Sequence, residues 1–257
     1  VAAVYNARNF LVELRLLRET VASFAQYPFT IPAIEGLDRL VFARPVTFLV
    51  GENGAGKSTL LEAIATKWGL NPEGGSKNFN FSTRDSHSAL HQHLRLTRSA
   101  QRPADAYFLR AESYFNVATE IEKLDREPGG PPIISSYGGK SLHDQSHGES
   151  FFALFMHRMG AGGFYLFDEP EAALSPQRQL AFLTRLHDLV QAGSQFIIAT
   201  HSPILMAYPD AEILLLADGP PRVVAYHDTE HYTVTRNFLL RTERMLDMLL
   251  GREPNAP

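Results

Sequence analysis

No cysteine occurs among the 257 residues, so disulfides and thiolate metal sites are excluded. No apolar run approaches the roughly 20 residues that cross a bilayer as a helix, and the chain is expected not to insert into a membrane itself. Neither sign of charge dominates. The 24 Lys and Arg against 28 Asp and Glu leave a net charge of −4, so contact with nucleic acid would need a local basic patch. The first residues lack the basic-then-apolar pattern of a secretory leader, and with no cysteine present a cytoplasmic location is the expectation. Internal repeats and coiled-coil heptads are absent as well. What remains is the composition of an ordinary globular chain, 44% hydrophobic and 20% charged, long enough for one α/β domain with or without a subdomain.

Short apolar stretches and turn residues alternate at the start: Phe10–Leu17, the Tyr27-Pro-Phe-Thr-Ile-Pro run, Leu40–Phe42 and Val46–Val50. They predict a small β-rich entry region. A helix is expected over Lys57–Lys67, ending near Gly69 and Pro72. Residues 71–105 are polar and carry Lys77, Arg84, Arg95, Arg98 and Arg102 with His87, His91 and His93. That segment reads as a solvated surface lobe or as a surface for an anionic partner such as nucleic acid. Further strands are expected at Ala106–Leu109, Phe164–Phe167 and Gln195–Ala199, and helices at Val117–Leu124, around Phe151–Met159, and at Pro176–Val190. Terminal strands at Ile213–Leu216 and Val223–Tyr226 would flank a Gly219-Pro-Pro turn, before a closing helix over Arg236–Leu250. This alternation predicts a mainly parallel sheet with helices on both faces. The whole chain then reads as one domain: residues 1–70 as the entry, 71–145 as an inserted polar and helical lobe, and 146–257 as the second half.

Between the strand Val46–Val50 and the following helix lies Gly51-Glu-Asn-Gly-Ala-Gly-Lys-Ser-Thr59. The spacing from Gly51 to Gly56, Lys57 and Ser58 is that of a Walker A phosphate-binding loop. Glycines let the backbone approach a ligand closely. The amides from Asn53 through Gly54, Ala55 and Gly56 to Thr59 would then cradle phosphate oxygens at a helix N-terminus. Lys57 would reach the β- and γ-phosphates and Ser58 would ligate Mg²⁺. Phe164-Tyr-Leu-Phe-Asp168-Glu169 reads as the Walker B counterpart, with Asp168 toward Mg²⁺ and Glu169 placed to orient or deprotonate water.

Together with Asp168-Glu169-Pro170 and Thr200-His201-Ser202, these motifs make the chain resemble the ATP-binding-cassette ATPases across roughly residues 40–205. Within them it is similar to the soluble branch of RecF, structural-maintenance-of-chromosomes heads and OLD-type defence ATPases, through the run Asp168-Glu-Pro-Glu-Ala-Ala-Leu-Ser-Pro176. The resemblance implies Mg²⁺-dependent ATP hydrolysis by an ATP-sandwich homodimer, acting in DNA maintenance or phage defence with a DNA or repair partner. The alternative is the nucleotide-binding subunit of a transporter whose membrane-spanning partners are separate chains. It also implies that His201 contacts the γ-phosphate, and that Ser146 and Gly148 bind the γ-phosphate held by the other subunit. The alternative for Ser146 and Glu149 is a plain helix cap. The family's usual glutamine between the core strand and the helical lobe is missing after the strand ending at Leu109, and Glu112 is the candidate to replace it as an oxygen ligand near Mg²⁺. Ser175 stands where the family has a dimer-contact aspartate. For adenine stacking the candidates are Tyr27 and Phe29, with core packing as the other role.

Overall fold

The computed structural model describes residues 9–75, 88–110 and 147–252. Strands β1 (Leu11–Leu16), β2 (Arg39–Val41) and β4 (Leu94–Arg98) form an antiparallel sheet in the order β2-β1-β4. Strands β3 (Val46–Val50), β5 (Asp105–Arg110), β6 (Gly163–Asp168), β7 (Gln195–Ala199), β8 (Glu212–Ala217) and β9 (Gly219–Val223) form a second sheet in the order β5-β6-β7-β3-β8-β9. Every pair in it is parallel except β8 with β9.

Each residue of β3, β6 and β7 is buried, as expected of parallel strands covered on both faces. Alternate side chains enter two different cores. Tyr165 and Phe167 of β6 pack with Phe196 and with helices α3 (His147–Arg158) and α4 (Pro176–Gln191), through Phe151, Phe155, Phe182 and Leu186. Phe164 and Leu166 face the other way, toward α2 (Lys57–Trp68) and the antiparallel sheet, joining Leu60, Ile64, Trp68 and Leu14. Helix α2 ends at Gly69 in the left-handed conformation, φ 96°.

One buried glutamine fastens the two sheets together. Gln195 Oε1 accepts the backbone N–H groups of Phe10 and Leu11 at 2.8 and 2.9 Å, and its Nε2 donates to Leu11 O at 2.8 Å.

Several elements differ from expectation. Residues 94–98, read as part of a polar lobe, are strand β4. Only one of its faces is buried, so its Leu-Arg-Leu-Thr-Arg sequence hides a strand among charges. The Tyr27-Pro-Phe-Thr-Ile-Pro run makes turns and the short helix α1 (Pro32–Glu35) rather than a strand. Gly219-Pro-Pro lies inside β9, an edge strand where proline costs no ladder bond, and the reversal occurs at Asp218. Tyr226 belongs to a short 3₁₀ turn. The closing helix is two helices, α6 (Glu230–Leu240) and α7 (Thr242–Leu250), separated at Arg241 with φ −141° and ψ 40°. The helix expected at Val117–Leu124 lies outside the described residues. Helix α5 (Pro203–Met206) completes the set.

Candidate nucleotide site

The carboxyl ends of β3, β6 and β7 are neighbours in the sheet, and ligands of open parallel sheets bind beyond such ends. The end of β3 delivers Gly51, that of β6 Asp168 and Glu169, and that of β7 Thr200 and His201. Parallel register sets their height: Asp168 pairs with Ala199 and Arg110 with Asp168.

The loop from Gly51 to Gly56 turns on positive φ angles at Gly51, Gly54 and Gly56. At Gly51 glycine is obligatory on a second count, since a Cβ would lie 2.1 Å from the Leu216 carbonyl oxygen. Lys57 opens α2 and is only 4% exposed. Its Nζ donates to the carbonyls of Gly51 and Glu52 at 2.9 Å each, which folds it across the loop. Burial is the largest influence on the ammonium and lowers its pKa, against the opposing pull of Glu169 and Asp168. Phosphate oxygens are the natural counter-charge for a cation held this way.

Ser58 Oγ donates to Asp168 Oδ1 at 2.9 Å. A hydroxyl and a buried carboxylate converging at a phosphate loop suit a hard cation that keeps several waters and takes its other ligands from phosphate. Mg²⁺ therefore fits Ser58 and Asp168. Among the described residues no cluster of three or more acidic or histidine side chains offers a self-sufficient metal cage. Glu112, the other expected metal ligand, lies outside the described residues.

Glu169 adopts the left-handed conformation, φ 51° and ψ 53°, which costs a non-glycine residue about 1–3 kcal/mol and clusters at functional sites. Its backbone N–H is held by Ala199 O at 2.9 Å. His201 Nε2 stands 3.5 Å from Glu169 Oε1. Burial, then the nearby Lys57 charge, lowers the His201 pKa, so the ring is neutral near pH 7 and the contact is polar rather than ionic. The Glu171 carboxylate accepts the His201 backbone N–H, and burial raises the Glu171 pKa.

Three participants were not anticipated. Arg110 pairs with both Asp168 Oδ2, at 3.3 Å, and Glu62 Oε2, at 3.1 Å. Glu171 was visible in the Asp-Glu-Pro-Glu run, but nothing marked it as the partner of the His201 amide. His231 Nε2 lies 2.9 Å from His201 Nδ1. It comes from α6, beyond every motif, and no sequence signal pointed to it.

Gly148 lies in the first turn of α3, where a Cβ would meet the Ala173 carbonyl oxygen at 2.4 Å. Close packing on the loop after Glu169 thus requires a glycine there within this chain. Ser146 lies outside the described residues. Ser175 caps α4, its Oγ accepting from Arg178 N at 3.4 Å. Of the adenine candidates, Phe29 is core, edge-on to Phe24 and His93. Tyr27 is 66% exposed, with its hydroxyl 3.3 Å from Thr59 Oγ1 at the loop, so core packing is not its role. In the basic segment, Arg98 stacks on Trp68 and donates to the carbonyls ending α2, while His91 and His93 bond Ser88 O and Thr20 Oγ1. Those groups hold the fold together.

Comparison with known proteins matches residues 23–123 to a family described as "AAA domain" and residues 142–207 to one described as "AAA domain, putative AbiEii toxin, Type IV TA system". The chain is 26% identical over 238 residues to the hemin import ATP-binding protein HmuV of Pseudomonas aeruginosa, covering 86% of this chain and 90% of that protein. It is 25% identical over 219 residues to the brefeldin A resistance protein of Schizosaccharomyces pombe, which takes in 79% of this chain but spans only 14% of that protein. Among solved structures, "An inward-facing conformation of a putative metal-chelate type ABC transporter" aligns with TM-score 0.50 and 15% identity over 88% of each chain. That likeness is one of fold.

Proposed function

We propose that this chain, an ATP-binding-cassette-type P-loop ATPase, runs its hydrolytic cycle in a head-to-tail dimer that drives a separate partner protein. One observation carries the reading of the site. Lys57, the Ser58–Asp168 pair, Glu169 and His201 gather at adjacent strand ends, with Ser58 Oγ 2.9 Å from Asp168 Oδ1.

In this reading the amides of Gly51–Thr59 hold the phosphates and Lys57 exchanges its carbonyl partners for β- and γ-phosphate oxygens. Ser58 and Asp168 hold Mg²⁺, which supplies charge neutralisation at those oxygens. Glu169 takes a proton from the attacking water, and His201 Nε2 contacts the γ-phosphate. Ser146 and Gly148 close over the γ-phosphate of the opposing subunit.

The sequence motifs placed DNA maintenance or phage defence first. The printed roles of the curated relatives, hemin import among them, favour the other expectation: a nucleotide-binding subunit with a membrane partner. No helix among the described residues is long and apolar enough to cross a membrane, and on this reading the spanning part is another chain. The brefeldin A resistance protein is far longer than this chain, so its activity does not transfer as a whole.

Light scattering tests the dimer. Glu169→Gln should cut turnover on the order of 10²–10⁴-fold and should dimerise only with ATP and Mg²⁺. Adding Ser146→Arg should block that dimer while leaving ATP binding by the monomer nearly intact. An oligomeric state indifferent to nucleotide in both variants would leave Ser146 and Glu149 as a helix cap. For the partner, stimulation of ATPase activity by a permease encoded beside this chain supports transport, whereas a neighbouring nuclease that responds to ATP would restore the defence reading.

A further inference from the structure

Behind His201 stands a second imidazole. His201 Nδ1 and His231 Nε2 are 2.9 Å apart, with ring centroids at 5.0 Å and planes at 58°. A bond between two neutral imidazoles needs one N–H and one lone pair, so this contact has two readings. If His201 donates from Nδ1, its Nε2 presents a lone pair to the Glu169 carboxylate 3.5 Å away, an unfavourable meeting of two acceptors. If His231 donates from Nε2, then His201 carries its proton on Nε2 and offers it to Glu169. Only the second arrangement turns a proton rather than a lone pair toward the carboxylate, although at 3.5 Å that end of the ring makes no hydrogen bond.

We propose that His231 is a positioning residue: by donating Nε2–H to His201 Nδ1 it holds His201 in the tautomer whose proton sits on Nε2, the nitrogen that faces Glu169 and the γ-phosphate. The proposal rests on the reading of His201 as the γ-phosphate contact. The support is built into the fold. Thr229 caps α6 by accepting from Tyr232 N, and Tyr226 OH donates to Pro203 O, two residues beyond His201. The pair is therefore pinned from both sides. Burial lowers the pKa of both rings, so a choice of tautomer, rather than of charge, is the variable near pH 7. Lys57, Glu52 and Glu169 act on His201, and Lys57, Glu52 and Glu230 on His231.

The test is long-range proton–nitrogen NMR on the full chain labelled in histidine, with signals assigned through His201→Gln and His231→Gln. The wild type should show His201 protonated on Nε2 and bare on Nδ1. His231→Ala should give a mixture of tautomers. Its kcat should fall about 10-fold, the scale of one orienting hydrogen bond, with KM for ATP changed less than about 2-fold and an altered pH profile of kcat. His231→Gln, whose amide can donate from nearly the same place, should recover most of the rate, and it keeps the test decisive if the alanine variant does not fold. A wild-type His201 protonated on Nδ1 overturns the proposal, as does a His231→Ala enzyme with unchanged kcat and pH profile. Wild-type turnover in His201→Ala would instead overturn the catalytic reading of His201 and with it the purpose assigned to His231, leaving the measured tautomer as plain structure.

Discussion

Arg110 and Asp168 end adjacent strands in register, with the guanidinium Nε 3.3 Å from Asp168 Oδ2 while Ser58 holds Oδ1. The carboxylate assigned to Mg²⁺ is thus shared with a fixed positive charge, itself tied to Glu62. A divalent cation held at Asp168 would be repelled by that arginine, and even about 1.4 kcal/mol of repulsion is roughly a tenfold change in affinity. Arg110→Gln should therefore lower the Mg²⁺ concentration for half-maximal binding of a fluorescent ATP analogue by roughly 10-fold. An unchanged Mg²⁺ requirement would mean that the metal does not sit at Asp168.

On the proposed reading, Lys57→Ala removes a charge-assisted phosphate contact worth about 1.5–3 kcal/mol. Calorimetry should find ATP affinity reduced roughly 10- to 100-fold. Retention of wild-type affinity would take the loop out of phosphate binding.

Glu171 makes a sharper case, because its buried carboxyl has a raised pKa and also accepts the His201 N–H. A raised folded-state value means that the folded state binds the proton more tightly. Stability is then favoured below the ordinary glutamate value of 4.5 and declines as pH rises through the folded pKa,. Glu171→Gln keeps the acceptor and loses the charge, so it should raise the denaturation midpoint at neutral pH, with the gain shrinking toward pH 4.5. Glu171→Ala leaves the amide without its acceptor and should cost about 1–3 kcal/mol. A Gln variant less stable than the wild type at neutral pH would show that the charge is stabilising.

The two histidines give the opposite slope. Both have pKa values lowered from 6.5 by burial first, so the unfolded chain binds protons more readily. Their contribution is complete above 6.5 and is lost as pH falls below it, through the folded-state values. Denaturant midpoints should drop between about pH 7.5 and pH 5.5 in the wild type, and less in His231→Gln. Equal slopes in the two would remove His231 from the pH response.

Strands β3, β6 and β7 were readable from the sequence because strands buried on both faces are almost wholly apolar, with Thr47 the one polar interruption inside them. The phosphate loop, Asp168, Glu169 and His201 were readable because each follows such a strand within a residue or two. What escaped depends on register or on distant return of the chain. Arg110 meets Asp168 only because β5 and β6 run parallel with level ends, and His231 returns from α6. Strand β4 buries only one face, so its charged residues masked it. Arg241 interrupts the last helix with neither glycine nor proline to announce it, and Thr242 Oγ1 bonds Phe238 O across the break.

Gln195 carries a consequence for the order of synthesis. The amides of Phe10 and Leu11 leave the ribosome first, yet their acceptor lies 185 and 184 residues further along. Until it arrives, those two amides lack the buried acceptor that the folded chain gives them, and long-range closure of this kind slows folding. A nascent chain arrested before residue 195 could pair β1 with β2 and β4, but the amides of Phe10 and Leu11 would stay open to solvent until Gln195 reached them.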